Sequence, residues 1–135
     1  MKKFISLFVM MTVMLMAYSA FAGEFADLQK KITETREALV TMVNDKAKRG
    51  EEQQKMLKTT TEAVNTALAG MKAPAGKDAQ FKELTDTWNA FTKTRDEELV
   101  PALLAGKDDD AKKLATGIQK ERFEKLVSLC GELDK

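Results

Sequence analysis

The sequence has 135 residues, which fits a single domain, and its formal net charge is only +1. It contains no histidine and a single cysteine, Cys130. The absence of histidine excludes the usual zinc, haem and general-base sites, and a lone cysteine excludes an internal disulfide. We therefore expect no metal, no cofactor, no catalytic residue and no enzymatic activity. Cys130 is interpreted as a small buried side chain, with an intermolecular disulfide as the alternative.

The first 22 residues differ in character from the rest of the chain. Two lysines precede an almost wholly apolar run from Phe4 to Ala17, and Ala20-Phe21-Ala22 matches a small-x-small cleavage site. The pattern predicts a signal peptide over residues 1–22 and a periplasmic mature domain over residues 23–135. An N-terminal anchor in the inner membrane is the alternative, because the apolar stretch is nearly long enough to span a bilayer.

The mature chain would be nearly neutral. Two of the 22 Lys and Arg residues lie in the signal peptide, so 20 basic residues remain against 21 acidic ones. Such a balance argues against a nucleic acid partner, because no basic surplus exists to neutralise phosphates. No second apolar run is long enough to cross a bilayer, so we expect no membrane contact after cleavage. The basic runs Lys30-Lys31, Lys46 to Arg49 and Lys112-Lys113 are interpreted as solvated surface.

Apolar residues recur at intervals of three and four along four stretches, which predicts four amphipathic helices. The first two run from Glu24 to Asp45 and from Glu51 to Met71, and the breaker segment Gly70 to Gly76 follows them. The other two form a hairpin over Phe81 to Leu133 that turns at Gly106. No stretch shows the period of two that is typical of strands. We expect an all-α fold, an antiparallel up-down-up-down four-helix bundle.

Several residues of the hairpin carry local predictions. Trp88 is expected in the core, between apolar neighbours on one stripe. Pro101 removes a backbone donor and should bend or loosen the end of the third helix. Gly106 favours a left-handed C-cap, and one aspartate of Asp108 to Asp110 can serve as the next N-cap. Gly117 should weaken the fourth helix by roughly 1 kcal/mol relative to alanine.

Three arginines lie on or beside the predicted inward stripes, Arg36, Arg95 and Arg122, at similar heights in the bundle. A buried guanidinium needs a partner or water. We hypothesise that these arginines, with Trp88, form a site for a small anionic ligand such as a carboxylate, in which Arg95 is the main residue. The alternative is that nearby glutamates pair with the arginines at the surface, from the set Glu34, Glu37, Glu98 and Glu121.

The hairpin also carries a recognisable set of residues. They are Trp88 and Phe91, the run Arg95 to Glu98, Val100 to Leu103, the turn at Gly106, Asp109 and Ala111, and then Phe123 and Leu126. In these residues the hairpin resembles the C-terminal half of the four-helix-bundle sensor domain of methyl-accepting chemotaxis proteins. The resemblance implies a periplasmic ligand-binding domain of signal transduction. The receptors continue into a second transmembrane helix, a HAMP linker and a signalling rod, whereas this sequence ends at Lys135, so we expect a soluble domain without those parts.

Three functions follow as expectations. The first is a non-enzymatic periplasmic bundle, similar to a sensor domain, that binds a small anionic ligand or a partner protein. The second is a purely structural or chaperone-like interaction protein of the envelope, whose partner is a second copy in a homodimer or another envelope protein. The third and most remote is a bundle similar to the soluble periplasmic cytochromes that has lost its haem ligands, because it has no histidine and no Cys-x-x-Cys-His motif.

Overall fold

The computed structural model describes residues 23–135, so the predicted signal peptide lies outside the described residues. Helical segments cover 85% of the described part and no strand occurs in it, which confirms the predicted all-α class. Between residues 23 and 135, no helix combines the length and the apolar character needed to cross a membrane.

The first two helices follow the predicted bounds closely. Helix α1 is Glu24–Asn44 and helix α2 is Glu51–Gly70, each one residue shorter than predicted. A short 3-10 helix, Lys46–Lys48, lies between them. Both helices bury one apolar stripe and expose a charged face, as the three-and-four spacing requires.

The last two helices of the described chain are divided into segments. The third helix consists of α3, Asp78–Thr94, a π-helical segment, Arg95–Leu99, and α4, Val100–Leu104. The fourth consists of α5, Asp108–Thr116, and α6, Ile118–Leu133. Helix α3 packs mainly against α6, and α1 packs against α2 and α6.

Trp88 lies at the centre of the core, as predicted, with only 1% of its surface exposed. Its indole Nε1 donates a hydrogen bond to Asn65 Oδ1 at 2.8 Å, and its ring stacks on Phe91 at a centroid distance of 5.8 Å. The indole therefore buries its apolar body while its one polar atom stays satisfied. The other large side chains that are fully buried include Leu28, Ile32, Met42, Leu84, Leu99 and Leu126.

The third helix is disturbed at the π-helical segment Arg95–Leu99, which ends two residues before Pro101, whereas the turn that contains Pro101 is α-helical. The N–H that follows the segment donates to the Arg95 carbonyl, five residues back. In an α-helix each gap of four residues overshoots a full turn by about 40°, so the three gaps from Phe91 to Leu103 would drift by about 120°. The wider π turn accommodates an extra residue and returns Leu99 and Leu103 to the core, where both are buried.

The two glycines of the hairpin act differently. Gly106 adopts φ +75°, and the Lys107 N–H donates to the Ala102 carbonyl at 2.8 Å, so the predicted left-handed cap is present. Gly117 has a larger effect than predicted, because it interrupts the fourth helix instead of weakening it. A Cβ atom at Gly117 would lie 2.8 Å from the Lys113 carbonyl oxygen, so the close approach of backbone at this break requires glycine.

The aspartate cap expected at the start of the fourth helix is not formed. Lys107 occupies the N-cap position of α5 and makes no side-chain capping hydrogen bond. Asp108 is instead the first residue of α5, and its carboxylate lies 2.7 Å from Arg49 Nη1 and 3.1 Å from Lys46 Nζ. The Asp108 carboxylate therefore binds Arg49 and Lys46 and does not cap α5.

Arg49 is also not the solvated charge that the sequence predicted, because its side chain is only 10% exposed. Its Nε donates to the Met42 carbonyl at 2.7 Å and its Nη2 to the Val43 carbonyl at 3.1 Å. These two acceptors belong to the last turn of α1, where helix carbonyls lack partners. Arg49 thus closes the end of α1 with its side chain.

Candidate functional site

Arg95 begins the π-helical segment and is the one charged residue that is buried in the described chain, with 3% of its surface exposed. Its Nε donates to Asp96 Oδ1 at 2.9 Å, and its Nη1 donates to Thr61 Oγ1 at 2.7 Å. The Thr61 hydroxyl in turn donates to the Leu57 carbonyl at 2.6 Å. Helix α2 therefore holds the guanidinium through a threonine whose oxygen is oriented to accept.

The counter-charge of Arg95 is not one of the glutamates considered from the sequence. Asp96 is the carboxylate in contact, and its side chain is 62% exposed while that of Arg95 is 4% exposed. Among residues 23–135, Glu98 makes no salt bridge to Arg95, although its spacing allows one. A buried cation is thus partnered by a carboxylate that stands mostly in solvent.

A cavity of about 430 Å³ lies beside Arg95, between α2 and the π-helical segment. This volume falls within the range of small-molecule sites. Arg95 lines this cavity, and its Nη2 has no hydrogen-bond partner among the described residues; since no fully buried side-chain N or O atom there lacks a partner, Nη2 is not fully buried. The lining contains two cations, two carboxylates and a mixed remainder: Lys58 and Arg95, Glu62 and Asp96, and Gln54, Leu57, Thr61 and Val100.

Arg122 lies on α6 and has its partners on the third helix. Its Nη1 lies 2.6 Å from Thr94 Oγ1, 3.2 Å from the Ala90 carbonyl oxygen and 3.1 Å from Gln119 Oε1. Gln119 is buried and donates through Nε2 to the Phe91 carbonyl at 2.8 Å. This network joins α6 to α3 just below the π-helical segment, and it gives Arg122 neutral structural partners.

The other two predicted site residues lie elsewhere. The guanidinium carbon of Arg36 sits 4.5 Å from the centroid of the Phe123 ring, a cation–π contact between α1 and α6. Of the four cavities described, Arg95 lines one and Arg122 lines another, whereas Arg36 and Trp88 line none of them. A common site for all four residues stays a prediction. Arg95 alone combines burial with a cavity.

Three residues beside Arg95 were not singled out from the sequence: Lys58, Thr61 and Asp96. The sequence did contain one sign of the irregular turn beside these residues. Phe91, Arg95 and Leu99 follow one another at gaps of four, and such gaps drift around an ordinary α-helix by about 40° each. Thr61 ends a run of three threonines in α2, a weak helix-forming stretch that needs tertiary contacts.

A metal site or a reactive thiol would require a particular environment among the described residues. Within residues 23–135, no group of three or more His, Cys, Asp or Glu side chains is placed to hold a metal ion. Burial, and then the charge of Asp134, raises the pKa of the Cys130 thiol to about 12, so this thiol stays protonated. A protonated, buried thiol is the inert form of cysteine.

Comparisons of the chain with protein-family models, curated proteins and solved structures found no significant match. The site is therefore interpreted from its own chemistry. A guanidinium presents a planar fork of donors that matches the two oxygens of a carboxylate. The cavity beside Arg95 can thus hold a small carboxylate with its oxygens on the guanidinium and its carbon atoms against Leu57 and Val100.

Proposed function

We propose that the chain is a non-enzymatic, secreted four-helix bundle that binds a small carboxylate in the cavity beside Arg95. The observation that carries this proposal is a buried guanidinium that lines a cavity of about 430 Å³ and whose Nη2 has no hydrogen-bond partner among the described residues. Keeping a cation in a core is costly unless it is paired, and here its pairing is incomplete. Lys58 also lines the cavity, where Glu62 and Asp96 balance the charges of the two cations. The function resembles that of a sensor domain in which ligand binding is the primary event.

An antiparallel up-down-up-down arrangement of the helices is part of the proposal. The rings of Phe25 and Phe81, which lie at the starts of α1 and α3, meet edge-to-face at 6.3 Å. This contact fits a first and a third helix that start at the same end. Lys77, just before α3, donates through Nζ to the Glu132 carbonyl near the end of α6 at 2.7 Å. That contact fits a third and a fourth helix that run in opposite directions.

The proposed location is the periplasm, after cleavage before Gly23. The lysine pair, the apolar run and the Ala20-Phe21-Ala22 site support it. N-terminal sequencing of protein from the periplasmic fraction should begin at Gly23. Protein that begins at Met1 in the membrane fraction would favour the anchored form instead.

Thermal unfolding of the protein purified from the periplasm tests the proposed ligand class. A panel of acetate, benzoate and succinate is compared with the corresponding neutral amides. A ligand that binds only the folded state adds about 2.7 kcal/mol of stability at a concentration of about 100 times Kd. We expect at least one carboxylate to raise Tm while its amide does not.

The matched variants are Arg95→Lys and Arg122→Lys, since both keep the charge and remove the planar fork. We expect Arg95→Lys to abolish most of the carboxylate-induced shift in Tm and Arg122→Lys to preserve it, because Arg122 does not line this cavity. The absence of any shift with the whole panel in the wild-type protein would show the proposed function to be wrong.

A further inference from the structure

We propose that Asp96 is a built-in competitor for the carboxylate site, displaced from Arg95 when a ligand binds; this inference rests on the proposed function. The Asp96 carboxylate accepts the Arg95 Nε hydrogen bond at 2.9 Å. Its side chain is 62% exposed, whereas that of Arg95 is 4% exposed. The cation is thus held in the wall of the cavity while its counter-ion can turn into solvent.

The hydrogen bonds of Arg95 engage Nε and Nη1 and leave Nη2 without a partner among the described residues. Nη1 is engaged by Thr61, so the edge formed by Nε and Nη2 is the one that a carboxylate can approach with both oxygens. Asp96 occupies only Nε of this edge, through Oδ1. A ligand that takes both nitrogens replaces one hydrogen bond by two. The cost of releasing Asp96 is small, because it already stands mostly in water.

This competition determines which ligands are accepted. The cations at the cavity, Lys58 and Arg95, are offset by the carboxylates Glu62 and Asp96. A neutral ligand that displaced Asp96 would leave Arg95 without a counter-charge, which is costly for a buried cation. A carboxylate restores the lost charge. Asp96 therefore lowers the affinity for any ligand that must displace it, and only a ligand that brings its own negative charge compensates Arg95 for the loss.

Glu97 provides a matched control for Asp96. It is the next residue of the same π-helical segment, carries the same charge and is exposed. It is not among the residues that line the cavity, and it forms no salt bridge with Arg95 in the described chain. Asp96→Ala and Glu97→Ala therefore remove equal charge from nearly the same place, and only the first removes the contact with Nε.

Isothermal titration with benzoate as the probe, and benzamide as its uncharged counterpart, tests the competition. We expect Asp96→Ala to lower the Kd for benzoate by about 2–5-fold, the factor that corresponds to an exposed ion pair. Glu97→Ala should change this Kd by a smaller factor. Acetate, titrated in the same way, reports on the carboxylate without the ring. Circular dichroism of both variants checks that they fold.

The outcomes separate the inference from the proposed function. Equal effects of the two variants would show that only general charge matters and would overturn the competitor role. Weaker benzoate binding by Asp96→Ala would also overturn it, because Asp96 would then hold Arg95 in its productive position. Binding of neither benzoate nor acetate by the wild-type protein or the variants would contradict the proposed function itself, together with the inference.

Discussion

Arg49 Nη1 donates to Asp108 Oδ1 at 2.7 Å and so joins two positions that are 59 residues apart in the sequence. The same guanidinium binds the Met42 and Val43 carbonyls at the end of α1. One side chain therefore holds the last turn of the first helix and the first turn of α5 together. Contacts this distant in sequence restrain the ends of helices that would otherwise fray.

Replacing Arg49 should destabilise the domain strongly. Arg49→Met removes the charged hydrogen bonds and leaves helix carbonyls without a partner, which we expect to cost about 2–4 kcal/mol. Lys46→Met is the control, because Lys46 binds the same carboxylate from a side chain that is 80% exposed and should cost less than about 1 kcal/mol. Urea unfolding measures both, and similar losses would show that the buried bonds to α1 contribute little.

The ionised Asp108 carboxylate should contribute to the stability of the domain in a way that depends on pH. The hydrogen bond from Arg49, and then that from Lys46, holds the pKa of Asp108 below its ordinary value of 3.8. A lowered carboxyl pKa contributes stability that is present above the unfolded pKa and is lost as the pH falls through the folded pKa. The difference in urea midpoint between wild type and Asp108→Asn should be constant near neutral pH and shrink below about pH 3.8. A difference that stays constant into this acid range would contradict the ion-pair contribution.

Trp88 is the only tryptophan in the sequence, so its fluorescence reports on the core without ambiguity. Native emission should be shifted to the blue of the unfolded chain, because the indole is buried. Trp88→Ala should cost about 3–5 kcal/mol, and Trp88→Phe should cost less, since it keeps the ring and loses the bond to Asn65. Chemical unfolding, monitored by circular dichroism, compares the stability of the two variants with that of the wild type. A loss below about 1 kcal/mol for Trp88→Ala would contradict the core position.

Two glycine-to-alanine substitutions in the fourth helix should change the free energy of unfolding in opposite directions. Gly117→Ala places a Cβ against the Lys113 carbonyl oxygen, which we expect to cost about 1–3 kcal/mol. A Cβ at Gly131 meets nothing within 4 Å, so Gly131→Ala inside α6 should stabilise by about 0.5–1 kcal/mol. Thermal unfolding of both variants measures the pair. Stabilisation by both would mean that the fourth helix can close into one continuous helix.

Cys130 should be unreactive in the folded protein. Burial, followed by the charge of Asp134, raises the pKa of its thiol to about 12, so little thiolate exists near neutral pH. Because the thiolate is the nucleophile, a chromogenic disulfide reagent should react slowly with native protein and rapidly in urea. Fast native reaction, or a dimer that dissociates only under reducing conditions, would favour the intermolecular disulfide.

The sequence predicted the helices well because their stability comes from apolar stripes that are visible at intervals of three and four. Helices α1 and α2 end within one residue of the predicted bounds, and Trp88 lies in the core. The breaks in the hairpin were harder to predict. Pro101 indicated a disturbance, but the type of turn depends on which face Leu99 and Leu103 must present to neighbours distant in sequence.

The candidate site was predicted only at Arg95. Its partners are Thr61 and Asp96. They depend on how α2 packs against the π-helical segment, and the periodicity of one helix carries no information about that packing. The prediction that Arg49 is solvated was wrong for a related reason. A basic run in a polar turn is usually solvated, and only the approach of α1 and α5 to the same point makes Arg49 a buried residue.

The π-helical segment holds one residue more than an ordinary α-helix would need over the same length. Deleting one residue between Asp96 and Glu98 would allow ordinary i→i+4 pairing, with no change in the chemistry of the flanking turns. Leu103 would then lie 11 residues after Phe91, which at about 100° per residue leaves it only about 20° from the same face. A single-codon deletion inside the π-helical segment should therefore keep Leu103 in the core, whereas the same deletion in α6, which has no wide turn to absorb it, would rotate the two sides of that helix by about 100°.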